Sequence, residues 1–251
     1  MYNIFKKNSV SKMNIKRIIQ SRIRNLELRL SKRSKERYIN YLRKQGIKIG
    51  ENIWMTPRID TISIDVTRPS LVEIGNNVRI NRIFTLITHD GGYYVLLNKY
   101  HEFIPQSGKV TIGNNVYFGR NCSVFKGVTI GDNCIIGFGS VVTRDIPANS
   151  VAVGAPARVV GSVDDYYKKR SEKCINEALA YAKSIEKRFH RKPRLEEFWE
   201  EFPLFVDKEN MHLYPHLPYK RQLGDSFDYW AEHHKKIYDG FEEFLKAAGI
   251  E

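Results

Sequence analysis

From Ile112 onward an apolar side chain returns every six positions, at Ile112, Phe118, Val124, Ile130, Ile136 and Val142. A second small or apolar residue follows each of these by four, at Val116, Cys122, Val128, Cys134, Ser140 and Ile146. Glycine stands directly behind the first set at Gly113, Gly119, Gly131 and Gly137. The same beat runs earlier through Ile74, Ile80 and Leu86, with Gly75 after the first, and more faintly around Ile49, Gly50 and Ile53. A period of six fits neither the 3.6-residue turn of a helix nor the simple alternation of a strand. It is the period of a solenoid whose unit is one short strand and a corner. Three units make a triangular coil, and stacked coils lie one strand spacing, about 4.8 Å, apart. The leading residue of each unit then points into a narrow prism, and glycine beside it suits a corner with little room for a side chain.

From Leu86 to Ile112 the step is not a multiple of six, so the period breaks. The segment 89–109 is expected to leave the prism as a loop, because Gly91, Gly92, Pro105 and Gly108 punctuate it. Long loops on rigid scaffolds tend to carry function. On either side of the solenoid, 47–162, the pattern turns helical. In the arm 1–46, Ile15, Ile18, Ile19, Ile23, Leu26 and Leu30 recur at three- and four-residue spacing, predicting an amphipathic helix over 13–46 with Gly46 as its stop signal. Such a helix either packs on the main domain or a neighbouring subunit, or lies on a membrane surface. In 163–251, Ala178, Ala182, Ile185 and Phe189 predict one helix, and Phe227, Trp230, Ile237, Phe241, Phe244 and Leu245 another. The expected role of this region is to cap the last coil and to make oligomer contacts.

Charge sharpens the picture of the arm. The 251 residues carry a net charge of +13, and residues 1–46 hold 14 Lys and Arg against only Glu27 and Glu36. Nearly all of the excess is therefore in the arm, which can meet anionic lipid headgroups, an acidic glycan or nucleic acid. No motif supports nucleic acid, and none is expected as a partner. Lys6, Lys7 and Lys12 precede no apolar stretch, so a secretory signal is not expected, and no apolar run reaches the roughly 18 residues of a membrane span. Three scattered cysteines give neither a disulfide framework nor a metal pattern, which fits a reducing cytoplasm. Cys122 and Cys134 fall on inward repeat positions and read as core.

Three runs carry a family resemblance: LITHDGG at 86–92, VTIGNNVYFGRN at 110–121 and GVTIGDNCIIGFGSVVTRDIPANSVAVGAPARVV at 127–160. With them the chain, over roughly 49–162, resembles the hexapeptide-repeat acyltransferases, nearest to the galactoside and maltose acetyltransferases and the O-acetyltransferases of polysaccharide biosynthesis. The resemblance implies a mainly β fold, a left-handed parallel β-helix assembled as a homotrimer, with acetyl-CoA in the groove between subunits. It makes His89 the general base, a role an imidazole titrating near pH 6.5 suits when the nucleophile is a sugar hydroxyl. Asn81, Asp60, Asp65 and Asp90 are all candidates to orient it, with Asn81 and Asp90 also assigned to the substrate. His101, in the same loop, lacks the motif match. The family's cofactor contacts carry over to Arg120, Phe138, Thr143, Arg144 and Arg158, cations that suit a pyrophosphate and a 3′-phosphate. Arg120 departs from the small residue common in the sugar acetyltransferases, and Tyr117 with Phe118 replaces a frequent tryptophan.

The expected activity is thus acetyl transfer from acetyl-CoA to a sugar or surface-glycan intermediate in the cytoplasm, with the arm reaching the inner membrane face. The alternatives are N-acetylation of an amino sugar or, in a different class, a non-catalytic or metal-binding β-helix protein. Within 47–162 only His89 and His101 are histidines, too few for a three-histidine metal site, and no metal is expected. His233 and His234 are adjacent on a helical stretch and face different ways.

Overall fold

The computed structural model describes residues 18–251. It divides into two compact units, one reaching to Tyr166 and the other Tyr167–Glu251. In the first, two helices, α1 (residues 18–31) and α2 (Lys35–Lys44), precede a stack of parallel coils. Coil one holds β1 (Lys48–Ile49), β2 (Trp54–Met55) and β3 (Ile62–Ile64); coil two β4 (Val72–Ile74), β5 (Arg79–Ile80) and β6 (Phe84–Leu86). Coil three holds β7 (Val110–Ile112), β8 (Val116–Phe118) and β9 (Cys122–Val124); coil four β10 (Thr129–Ile130), β11 (Cys134–Ile136) and β12 (Val141–Val142). Corresponding strands pair in parallel to form three faces, β1-β4-β7-β10, β2-β5-β8-β11 and β3-β6-β9-β12. β13 (Ser150–Val153) extends the second face, and β14 (Arg158–Ser162) pairs with it antiparallel and covers that edge.

The register follows the six-residue beat. Ile112 pairs with Ile130, Phe118 with Ile136 and Val124 with Val142, each pair three hexads apart. Ile74 pairs with Ile112, a step longer by the whole inserted segment. Both residues of each repeat point inward, so the core is a column running from Ile49 to Ala152. Phe84 and Phe118 meet edge to face at its middle, ring centroids 5.0 Å apart.

The corners explain the polar residues between the strands. At the first corner Asn52, Asn77, Asn115, Asn133 and Asn149 all take φ between 55° and 59°, a left-handed turn that asparagine tolerates better than most residues. Their amides stack, Asn115 Nδ2 donating to Asn133 Oδ1 at 2.9 Å and Asn133 Nδ2 to Asn149 Oδ1 at 3.0 Å. Gly75 precedes this corner because a Cβ there would stand 2.7 Å from the Gly113 backbone of the next coil. At the second corner the left-handed position falls to Ile83, Asn121 and Gly139. A β-branched residue is the poorest occupant of such a position, at a cost of about 1–2 kcal/mol. Ile83→Asn is therefore expected to raise unfolding stability by about 1 kcal/mol. Urea denaturation checks this, and an unchanged or lowered midpoint would contradict the strain.

The arm differs from the single helix expected over 13–46; residues 13–17 lie outside the described residues. Residues 32–34 break it in two, and Ser34 caps α2 by accepting the Arg37 N–H. α2 buries Tyr38, Ile39, Tyr41 and Leu42 against the first coil and ends before Gly46, whose φ is 99°. The periodic face of α1 does not pack on the prism. Ile18, Ile19, Ile23, Leu26 and Leu30 are all exposed, and Leu28 is the α1 residue packed against the core. The inserted segment also holds more order than a loop, with α3 at Tyr93–Tyr100.

The second unit contains most of α4 (Val163–Phe189), which crosses the division, and α5 (Tyr219–Leu223), α6 (Phe227–His233) and α7 (Phe241–Ala247). Its core gathers Phe198, Phe202, Phe205 and Phe244 beneath Ala178, Ala182 and Ile185 of α4. The helix expected through Phe227–Leu245 is two, parted where Gly240 adopts φ 102°. His233 stacks on Tyr229 and His234 on Trp230.

Candidate functional site

The third corner, between the third and first faces, is where the coil period fails twice. After Ile64 the chain inserts Asp65–Leu71 before β4, and after Leu86 it inserts the segment that ends at β7. Because Ile64 and Leu86 pair, the two insertions leave the prism one above the other. Asp65 and His89 meet there. His89 Nδ1 lies 2.7 Å from Asp65 Oδ2, and the Asp65 side chain is only 6% exposed while His89 is 37% exposed.

The carboxylate is held from several sides. Thr88 donates its N–H to Asp65 Oδ2 at 3.1 Å and its hydroxyl at 2.6 Å. Thr67 donates its N–H and its hydroxyl to Asp65 Oδ1 at 2.8 and 2.7 Å. Burial pushes the acid upward, but these hydrogen bonds outweigh it and hold Asp65 well below the usual carboxylate range. An ionised Asp65 is an acceptor only. The Thr67 oxygen, 3.4 Å from His89 Nδ1, has committed its hydrogen to Asp65 and can also only accept. Both neighbours of Nδ1 are acceptors, so the proton of a neutral imidazole sits on Nδ1 and Nε2 keeps its lone pair. Of the four groups that sequence offered as orienters, the geometry selects Asp65.

The other three are engaged elsewhere. Asp60 pairs with Arg58 at 3.1 Å. Asn81 donates from Nδ2 to the Phe118 carbonyl at 2.9 Å, at the second corner and away from His89. Asp90, next to the imidazole, forms an ion pair with Lys126 and accepts the Gly92 N–H, which hold its carboxyl low. Lys126 was missed in the sequence reading; it precedes Gly127 at the third corner of coil three and ties the start of the insertion to that coil. The end of the insertion is tied there too, since Gly108 donates to the Thr88 carbonyl at 2.9 Å and leaves no room for a Cβ above Gly127. His101 closes α3 in a left-handed conformation and is exposed.

The five residues assigned to the cofactor do not converge on one pocket of one chain. Thr143 and Arg144 follow β12 at the third corner, two coils above His89. Arg120 and Phe138 stand at the second corner, beyond β8 and β11. The two corners are separated by the two- and three-residue strands of the third face, roughly 7–10 Å. Arg158 lies on β14, beyond coil four. Cys122 and Cys134 are buried, donate to the Gly137 and Pro147 carbonyls, and have thiols pushed up by burial, so neither is an exposed nucleophile. Among the described residues no group of three His, Cys, Asp or Glu is placed to hold a metal ion, and no helix is long and apolar enough to cross a membrane.

Comparison with known proteins agrees with this architecture. The model for bacterial transferase hexapeptide (six repeats) matches residues 109–144, which are coils three and four. Galactoside O-acetyltransferase of Escherichia coli K12 is 34% identical over 145 residues, covering 52% of this chain and 70% of the relative. Protein CapG of Staphylococcus aureus is 34% identical over 151 residues, 59% of this chain and 83% of the relative. Among solved structures, a galactoside acetyltransferase in complex with coenzyme A aligns at 28% identity and a TM-score of 0.42, covering 59% of this chain and 84% of that one. A relative matched over more than two thirds of its length, with the repeat signature lying on the stacked coils, makes this chain a member of the bacterial hexapeptide-repeat transferases and an acetyltransferase.

Proposed function

We propose that the protein transfers an acetyl group directly from acetyl-CoA to a hydroxyl of a sugar or surface-glycan intermediate, with His89 as general base. The observation that carries this reading is the buried Asp65 beneath His89, which in the neutral ring keeps the proton on Nδ1 and turns the Nε2 lone pair toward the break in the period. Nε2 accepts the hydroxyl proton as the sugar oxygen attacks the thioester carbonyl. The C–S bond then breaks, and the departing thiolate takes the proton back from the imidazolium. The ionised Asp65 stabilises that imidazolium while it exists. No covalent intermediate on the protein is needed.

The separation of the cofactor residues over two corners supports a donor groove built from two copies of the chain. One copy offers His89, Thr143 and Arg144, with Arg158 above, and the next offers Arg120 and Phe138. A homotrimer satisfies this with each subunit giving one corner and receiving another. We assign the exposed apolar face of α1, with Arg22, Arg24 and Arg29 on the same helix, to the anionic cytoplasmic face of a membrane, where lipid-carried glycans are presented.

The test is a coenzyme A release assay across sugars, nucleotide sugars, amino sugars and serine. The expected result is release that depends on a sugar, with a product whose acetyl group hydroxylamine removes, as for an ester. A hydroxylamine-stable product would make the reaction N-acetylation, and turnover with serine alone would remove the sugar reading.

A further inference from the structure

Below Arg120 and Phe138, the second corner carries two arginines, Arg58 and Arg82, that the proposed reaction leaves unused. A cleft of about 420 Å³ is lined there by Arg58, Thr61, Arg82, Ile83, Arg120 and Phe138. Three guanidinium groups stand one per coil, on coils one, two and three. Asp60 shares Arg58 at 3.1 Å, whereas among the described residues neither Arg82 nor Arg120 has an ion-pair partner. With three arginines against one aspartate, the cleft keeps an excess of positive charge. Its apolar surface is unusually open, with Ile83 54% and Phe138 73% exposed. Ile83 occupies the left-handed position that Asn121 and Gly139 fill in the next two coils.

Height along the prism separates Arg58 and Arg82 from Thr143, Arg144 and Arg158, while Arg120, one coil above Arg82, stays on the donor side. Thr143 and Arg144 belong to coil four and Arg158 lies beyond it, whereas His89 follows coil two. Coenzyme A carries its phosphates and its thioester at opposite ends of the pantetheine arm. With the phosphates at coil four and the thioester level with His89, Arg58 and Arg82 lie at or past the reacting end. They are two coils or more, about 10 Å, from Arg144 and Arg158. A charge in that place faces the acceptor.

We infer that this cleft is an acceptor site for an acidic sugar, one bearing a carboxylate or a phosphate, and that Arg82 with Arg58 selects it. The inference rests on the acetyl-transfer reading above, in which the second corner of one copy faces His89 of the next. Planar guanidinium groups match both anions with paired N–H donors, and the exposed Ile83 offers apolar surface to the C–H face of a sugar ring.

Binding and turnover are measured separately. By NMR, the wild-type protein is titrated with glucuronate, glucose 1-phosphate and methyl glucoside. The acids are expected to bind at least tenfold more tightly than the neutral sugar, and to weaken as salt is raised. R82A and R58A/R82A, both at exposed positions, are expected to abolish that preference. They should also raise the KM for an acidic acceptor at least tenfold, with the KM for acetyl-CoA unchanged. A response to glucuronate alone or to glucose 1-phosphate alone identifies the anion as carboxylate or phosphate. Equal binding of acid and neutral sugar by the wild type overturns the inference whether or not any sugar is acetylated. A rise confined to the KM for acetyl-CoA in R82A overturns it by giving the cleft to the donor. Preferential acid binding lost in R82A, with no coenzyme A release from any sugar, keeps the site and removes the acetyl-transfer reading instead.

Discussion

His89→Ala is expected to lower kcat by about 10²- to 10⁴-fold, the usual contribution of a positioned general base. The KM for acetyl-CoA should stay within about twofold, because the imidazole acts on the acceptor's proton and the cations assigned to the donor lie on other coils. The fold should survive the change. His89 is partly exposed, at the corner where the inserted segment leaves the prism. The loss should be independent of the sugar offered, since the proton has to leave any hydroxyl that attacks. Initial rates of coenzyme A release, with circular dichroism to confirm the β signature, provide the check. Full turnover by a folded H89A protein would remove the imidazole from the mechanism. The competing histidine gives an internal control. His101 closes a helix and is exposed, so His101→Ala should leave kcat within about twofold.

The prism was legible because its physics is periodic. A side chain pointing into a column barely wide enough for Phe118 or Val124 must be apolar at every turn, and that requirement writes itself into the chain every six residues. One failure of the period, between Leu86 and Ile112, was legible as well, and the candidate site lies beside it. What sequence could not give is the second failure, after Ile64, and its vertical alignment with the first. Asp65 and His89 are brought together because Ile64 and Leu86 pair, a register that depends on the number of residues inserted at each corner. The irregular first coil, with 3₁₀ turns at Ile59–Thr61 and Pro69–Leu71, hides that count. Lys126 was hidden for the same reason, since its partner Asp90 lies on the other side of the insertion. The arginine stack at the second corner escaped notice because Arg58, Arg82 and Arg120 have unequal spacings. Only equivalence of corners, not distance along the chain, relates them. The arm shows the converse limit. Its spacing correctly announced amphipathic helix, but periodicity alone does not say what the apolar face touches, and the face of α1 does not touch the prism.

Asp65→Asn tests the second half of the mechanism and should reduce kcat by about 10²- to 10³-fold. Two charges about 4 Å apart interact by about 4 kcal/mol at the effective dielectric of a protein surface, and exposure of the imidazole trims that figure. The chemistry of the amide decides how the loss arises. Asp65 accepts from Thr67 N–H and hydroxyl, Thr88 N–H and hydroxyl, and His89 Nδ1. An asparagine can present only one oxygen to these five donors. If its NH₂ faces His89, it donates to Nδ1 and drives the imidazole proton to Nε2, which removes the base. If the NH₂ is turned the other way, it opposes the Thr67 N–H, and the imidazolium still loses its counter-charge. Either placement leaves a donor without an acceptor, so stability should fall by about 1–3 kcal/mol at pH 7. Because folding lowers the Asp65 pKa, the wild-type carboxylate contributes its full stability above about pH 4 and loses it as the pH falls from there. The variant should lack that part of the acid dependence, and the two unfolding curves should converge toward low pH. A purely structural aspartate would produce the stability change alone. The separate signature is in the ring. Imidazole ¹⁵N shifts should report a proton on Nδ1 in the wild type and its transfer to Nε2, or a mixture, in D65N, alongside the fall in kcat and an unchanged KM for acetyl-CoA. A D65N protein with wild-type kcat would mean that the buried carboxylate holds the corner together without governing the base.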